Sequence, residues 1–328
     1  MPSGKGEVPS GKCEVPSGMG SGKVGSRPQA SNQPPRTRNS QAETRNLDLG
    51  TELDRLYHGF NAPNSLVDPI ELVRPYTRGK DREVAGFIAS ALAFGNVTAV
   101  MASVQAALAL LGPSPATFVR AFDPDRDGKA FNSFVHRWTR GRDLVALVWV
   151  LHQMLERSGS IEQFFVEGDD PAAADVTTSL ESFSRRAMAL DLTRVYGRRP
   201  PGRTGVPYFF SRPSSGGACK RLNLYLRWMV RSDQVDLGVW TRITPARLIV
   251  PLDTHVIRLG QCLRLTRYRS PGWRMAADIT ARLRALDPGD PVRFDFSLCH
   301  VGMMGNCGFA TKQRDSQCPL RGLCSPRG

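Results

Sequence analysis

From Leu53 onward, apolar residues recur at helical spacing and almost nowhere in strict alternation, so the body of this chain must bury its core between helices rather than between sheets. The helical runs cover residues 83–92, 97–111, 143–155, 180–192, 222–230 and 275–286. Asp68-Pro69 and Asp290-Pro291 each set a capping Asp before a Pro at the first helical position, and Asp81 stands just ahead of the run that begins at Glu83. These signals predict an all-α fold. Residues 197–217, rich in Gly, Pro, Ser and Arg, form the one long irregular connection.

The first 48 residues cannot join that core. Pro2-Ser-Gly-Lys-Gly-Glu-Val8 repeats as Pro9-Ser-Gly-Lys-Cys-Glu-Val15 and again from Pro16, with too little apolar surface to offset the entropy of ordering. A low-complexity tail is expected over 1–48, a folded domain over 49–298 and a Cys-rich segment over 299–328. The chain carries a net charge of +14, of which the tail holds +3, so the folded part is the basic part and a polyanion is its expected partner. No stretch approaches the ~18 uninterrupted apolar residues of a membrane span, and the N-terminus lacks the layout of a signal peptide. A soluble, cytoplasmic, nucleoid-associated protein with no membrane partner is expected.

The most informative stretch runs from Phe209 to Val230. Gly216 and Gly217 stand just before an amphipathic helix, where glycines let backbone N–H groups face outward and hold one phosphate; equally, they are an ordinary loop signal before a helix. Lys220 falls in the first turn of that helix, an unfavourable place for a cation beside the positive end of the macrodipole. A phosphate, a carboxylate or a nucleophilic role would offset this, and simple exposure to solvent is the bland alternative. Asp253, in Pro251-Leu-Asp-Thr-His255, is the expected N-cap of another helix, its carboxylate held ionised by backbone N–H groups.

A hairpin with a lysine, followed by a Leu-Asp-Thr-His helix, resembles the helix-hairpin-helix DNA glycosylase superfamily of base-excision repair. Its bifunctional members carry a catalytic Lys in the hairpin and an Asp in such a segment, and Lys220 and Asp253 stand at those positions. Over roughly residues 53–310 the chain is more closely similar to the domain of unknown function 2400 family within that superfamily. That likeness is carried by Asp81-Arg-Glu-Val84, Ala93-Phe-Gly-Asn96, Ala218-Cys-Lys-Arg-Leu-Asn-Leu224, Arg227-Trp-Met-Val-Arg231, Asp236-Leu-Gly-Val-Trp240 and Pro251-Leu-Asp-Thr-His255. The 33 positions between Lys220 and Asp253 exceed the spacing in endonuclease III-like enzymes and are more like that of the archaeal 8-oxoguanine glycosylase branch. The resemblance implies a two-lobed, all-α helix-hairpin-helix glycosylase-like fold with its hairpin at about 207–230. It implies a monomer that excises a damaged base, an oxidised purine by the branch likeness, from double-stranded DNA. Lys220 would attack the sugar C1′, forming a Schiff base that permits strand cleavage, while Asp253 stabilises the cationic sugar and helps deprotonate the lysine. A non-catalytic DNA-binding protein of the same fold is the alternative.

Four cysteines end the chain as Cys299-x7-Cys307-x10-Cys318-x5-Cys324. Endonuclease III-like glycosylases end in four cysteines around a four-iron four-sulfur cluster, and the last spacing here is the same. Asp315 stands where one of their cysteines would be, so Cys299 or Asp315 would supply the fourth ligand; zinc, or thiols without a metal, are the alternatives. His300 is a substitute ligand or a packed side chain. Asn96 either fills space beside an extruded nucleotide or ends a helix. Trp228 and Trp240 either stack on a base or belong to the core, and Arg221, Arg227, Arg231, Arg258 and Arg264 are candidate phosphate contacts.

Overall fold

The computed structural model describes residues 38–62, 67–198, 204–303 and 318–324, with side chains from Asp48 on. The chain divides into Met1–Gln41 and Ala42–Gly328, and the N-terminal repeats lie outside the described residues. The elements, in order, are α1 (Arg38–Phe60), α2 (Gly79–Ala91), α3 (Val97–Leu111), α4 (Pro115–Ala121), α5 (Pro124–Asp127), β1 (Val135–His136), β2 (Thr139–Arg140), α6 (Gly141–Ser158), α7 (Ile161–Val166), α8 (Thr177–Met188), α9 (Thr193–Tyr196), α10 (Lys220–Val230), α11 (Thr254–Cys262), α12 (Trp273–Arg284) and α13 (Asp295–Met303). Among the described residues, strand is confined to the small β1–β2 hairpin and one isolated bridge, Ser232 to Leu237, so the protein is all-α as its periodicity predicts. No single described helix is long and apolar enough to cross a membrane; α3 and α4 reach that length and apolarity only together, across a bend of 60°.

Helix α2 lies at the centre. Ten of its residues are buried, and Gly86 lets α10 close on it: a Cβ there would lie 2.8 Å from Met229 Cε. Acidic side chains on α2 then cap other helices. Asp81 accepts from Ala116 N in the first turn of α4 (2.9 Å), while Glu83 accepts from Glu162 N in α7 and from Trp240 Nε1, both at 2.8 Å. Asp81 therefore sits inside α2 rather than ahead of it. Asp68 does cap, accepting from Ile70 N at 3.0 Å, but what it opens is a short 3-10 turn, Pro69–Leu72. The Asp290-Pro291 signal opens no helix: a turn follows, α13 begins at Asp295, and both Asp290 oxygens are taken by Arg231 Nε.

The chain reaches α10 through two 3-10 turns, Val206–Tyr208 and Pro213–Ser215, not through a preceding α-helix. Gly216 closes the second turn at φ +81°, and Cys219 enters α10 at φ +48°. Beyond α10 the 232–240 segment folds back on it, with Leu237 N bonded to Trp228 O and Trp240 N to Met229 O. Gly238 makes this return possible, at φ +58° and with Ser232 Cβ only 2.5 Å from where its own Cβ would stand.

Candidate functional site

Lys220 is the first residue of α10, as its position after the glycines predicts. Neither the side chain of Cys219, which precedes it, nor any acidic residue in the first turn caps this helix. Lys220 is half-buried and makes no hydrogen bond or ion pair among the described residues. Its ammonium acts on the carboxylate of Asp68. Burial lifts the pKa of Asp68, against the pull of Arg227, of the Ile70 N–H and of Lys220.

Asp253 caps α11, its Oδ1 accepting from His255 N (2.9 Å) and Val256 N (2.7 Å). Its other oxygen, Oδ2, accepts from the thiol of Cys299 on α13 at 3.0 Å. Close packing of α11 on α13 allows this, since a Cβ on Gly302 would lie 2.5 Å from the Cβ of His255. Both oxygens of the candidate catalytic carboxylate therefore have donors. Lys220 and Asp253 belong to one electrostatic cluster: Lys220 acts on Asp68, and Asp68 and Asp253 both act on Cys299.

Beneath them lies a buried ion-pair network. Arg227 pairs with Asp236 at 3.1 Å and with Asp295 at 2.5 Å; Arg231 pairs with Asp236, with Asp233 and with Asp290 at 2.9 Å. Two guanidinium groups thus face a larger number of carboxylates. Burial, set against Arg227 and reinforced by Asp253, pushes Asp295 up to about 7. Burial also opposes the charge of Arg227, but Asp236, Asp295 and Asp68 outweigh it and hold the guanidinium charged. Asp295 Oδ1, Arg227 Nη2 and Asn223 Oδ1 are buried there without a hydrogen-bond partner.

This geometry corrects several sequence expectations. Arg227 and Arg231 are structural cations, not phosphate contacts, because they are buried and paired with carboxylates. Arg221 is partly withdrawn as well: its guanidinium lies 5.1 Å from the Phe94 ring centroid and donates to Ala91 O and Tyr208 O, and burial lowers its pKa to about 10. Asn96 begins a helix rather than ending one, capping α3 by accepting from Thr98 N at 2.9 Å. Arg258 donates to His255 Nδ1 (3.2 Å) and Gly302 O (3.4 Å). Gly216 and Gly217 are exposed with open space around them, and the Gly216 carbonyl accepts from Trp273 N at the start of α12. Trp228 and Trp240 are core residues.

The expected thiolate set lies only partly within the described residues. Cys299 donates its thiol to Asp253, and burial with the carboxylates of Asp253, Asp295 and Asp68 raises its pKa well above the ordinary thiol range. Cys307 and Asp315 lie outside the described residues, Cys318 is buried against the core, Cys324 is half-buried, and His300 stacks on Phe60. Among the described residues no three His, Cys, Asp or Glu are grouped to hold a metal. Asp68, Asp236 and Asp295 were readable only as a cap and as ordinary acids; the available signal was Arg227 itself, a cation embedded in Leu226, Trp228, Met229 and Val230.

Two cavities of about 500 and 430 Å³ flank the Pro213 turn, the larger lined by Glu181, Ser214 and Trp273, the smaller by Arg185, Phe210 and Arg212. Neither is lined by Lys220 or Asp253. In comparisons with known proteins, the family model described as Protein of unknown function (DUF2400) matches residues 68–304. Neither the curated proteins nor the solved structures yielded a match.

Proposed function

The chain belongs to the DUF2400 family, over a span that takes in Asp68, Lys220, Asp253 and Cys299 alike, and from that premise we infer that it is a DNA N-glycosylase with AP lyase activity. The observation that carries this reading is the state of Lys220: a primary amine without a hydrogen-bond or ion-pair partner among the described residues, at an uncapped helix N-terminus, in a cluster of carboxylates. It acts as a monomer of helix-hairpin-helix type on double-stranded DNA in the cytoplasm. The exposed Gly216-Gly217 turn and the free N–H groups of α10 hold a phosphate beside the target nucleotide. The nucleotide, an oxidised purine by the branch likeness, is turned out of the stack.

Asp68, its pKa lifted by burial and its carboxylate within the field of Lys220, takes the ammonium proton. The freed Nζ bonds to C1′ as the C1′–N bond breaks, and the base leaves with the electron pair and takes up a proton. Asp253 does not receive the lysine proton in this scheme, since its oxygens are held by His255 N, Val256 N and Cys299. It supplies fixed negative charge to the cationic sugar. The amine now bonded to C1′ loses its second proton as the C1′–O4′ bond breaks and O4′ takes up a proton, and the open-chain Schiff base so formed permits β-elimination of the 3′ phosphate as a C2′ proton is lost. A metal is no part of these steps.

A second reading, a DNA-binding protein without catalysis, is favoured by the donors that occupy both oxygens of Asp253 and by the absence of Lys220 and Asp253 from the lining of both cavities. Borohydride trapping separates the two. A covalent adduct between the full chain and a duplex bearing an abasic site or 8-oxoguanine, lost in Lys220→Gln, supports the lyase. Tight, salt-sensitive duplex binding with no adduct on either substrate overturns it in favour of the binder.

A further inference from the structure

Among the described residues the β1–β2 hairpin is the one strand pair, and its tip is aromatic and basic. His136 anchors it, its ring nitrogens 2.8 Å from Ser103 Oγ and 3.0 Å from Phe94 O. At the tip Arg137 adopts φ +54°, in the left-handed region that side chains such as Arg rarely occupy. Trp138, 48% exposed, stacks on Phe94 at 4.5 Å and 24°, and Tyr208, 55% exposed, lies 6.0 Å from it. Arg137 covers one side of Trp138, and Arg221 lies over Phe94 with its guanidinium on Tyr208 O. Two large aromatic rings side by side, each about half exposed, form a contiguous apolar patch of the kind that marks a binding surface.

The charge around them selects that partner. Between Asp191 and Asp233 the chain has no Asp or Glu and nine Lys and Arg, of which Arg227 and Arg231 are internal and Arg194 pairs with Asp123 and Asp125, and residues 132–142 add three Arg and again no acid. The next carboxylate, Asp143, is turned inward onto Arg140 N, Gly205 N and the Tyr196 hydroxyl. Aromatic faces bordered by guanidinium groups and free of carboxylates match the stacked bases and phosphates of a single strand.

We propose that Trp138 and Tyr208, backed by Phe94 and flanked by Arg137 and Arg221, form a platform on which unpaired bases of a DNA strand stack. The platform borders α10 through Arg221, one residue from Lys220. It rests on the DNA-directed reading above and adds to it that the strand beside the site is held open.

The test is fluorescence anisotropy of the full chain with a fluorescein-labelled 12-nucleotide single strand and with the matching intact duplex, using Trp138→Ala and Trp138→Phe. One stacked base is worth ~1–3 kcal/mol, so Trp138→Ala is expected to lose about tenfold affinity for the single strand and under twofold for the duplex, at unchanged melting temperature. Trp138→Phe restores most of the loss. Equal single-strand affinity in Trp138→Ala and wild type, or equal losses on strand and duplex, overturns the platform. Borohydride trapping on the same preparations keeps the two readings apart: an adduct without the strand effect removes the platform alone, and the strand effect without an adduct removes the lyase alone.

Discussion

At the scale of single residues, Cys299 bears directly on the candidate carboxylate. Among the described residues its thiol is the one side-chain donor to Asp253, and a hydrogen bond to a charged group is worth ~1.5–3 kcal/mol. Cys299→Ala should slow adduct formation about tenfold at unchanged duplex affinity, whereas Cys299→Ser, which keeps a donor, should stay within about threefold of wild type. Equal rates in all three would remove the positioning role. Arg227 supports a second prediction: Arg227→Met leaves Asp295 buried without its cation and Asp236 with Arg231 alone, and should destabilise the fold by ~3–5 kcal/mol in denaturant titration. A phosphate contact would instead lose affinity at constant stability. Asp295 gives the pH dependence. Its folded pKa, about 7, lies above the ~3.9 of an unfolded Asp, so its contribution is complete below about pH 4 and is lost as pH rises through 7. Stability should fall between pH 5 and 8, and Asp295→Asn should flatten that fall; an unchanged slope would show that Asp295 is ionised throughout.

At the scale of elements, the two helix N-termini at the site are built differently. Helix α11 is capped by Asp253, while α10 has no side-chain cap and offers its first N–H groups to a ligand. Cap and chemistry can therefore be separated at Asp253. Asn is as good an N-cap as Asp, so Asp253→Asn should keep the melting temperature within about 1 °C and lose adduct formation. Asp253→Ala should also lose ~1 kcal/mol of stability, about 2–4 °C for a domain of this size. If Asp253→Asn retains full activity, the carboxylate charge is not needed. The helices α3, α6, α8, α10 and α12 were legible because each carries an apolar stripe or run that names its buried face without reference to its neighbours. The Asp290-Pro291 turn was not, because the same dipeptide serves turn and cap equally, and here Arg231 claims the Asp290 carboxylate.

At the scale of the whole molecule, the charge of +14 predicts salt-sensitive binding. With the Arg227 and Arg231 charges internal, fewer phosphate contacts remain than the basic count suggests. About four contacts would weaken duplex binding about 10²-fold between 50 and 200 mM salt, which a salt titration of Kd measures. A salt-independent Kd would rule out a polyanion as the main partner. The sequence by itself determined the all-α class, the N-cap at Asp253 and the place of Lys220 at the head of its helix, because periodicity, caps and turn glycines act within a few residues. Only the tertiary structure decided which charges are buried, that Cys299 donates to Asp253, that the charge of Lys220 acts on Asp68 and that Trp138 stands exposed. Burial and pairing are set by elements far apart in the chain: Arg227 and Asp295 lie 68 residues apart, Asp253 and Cys299 46, and no local pattern encodes such a meeting.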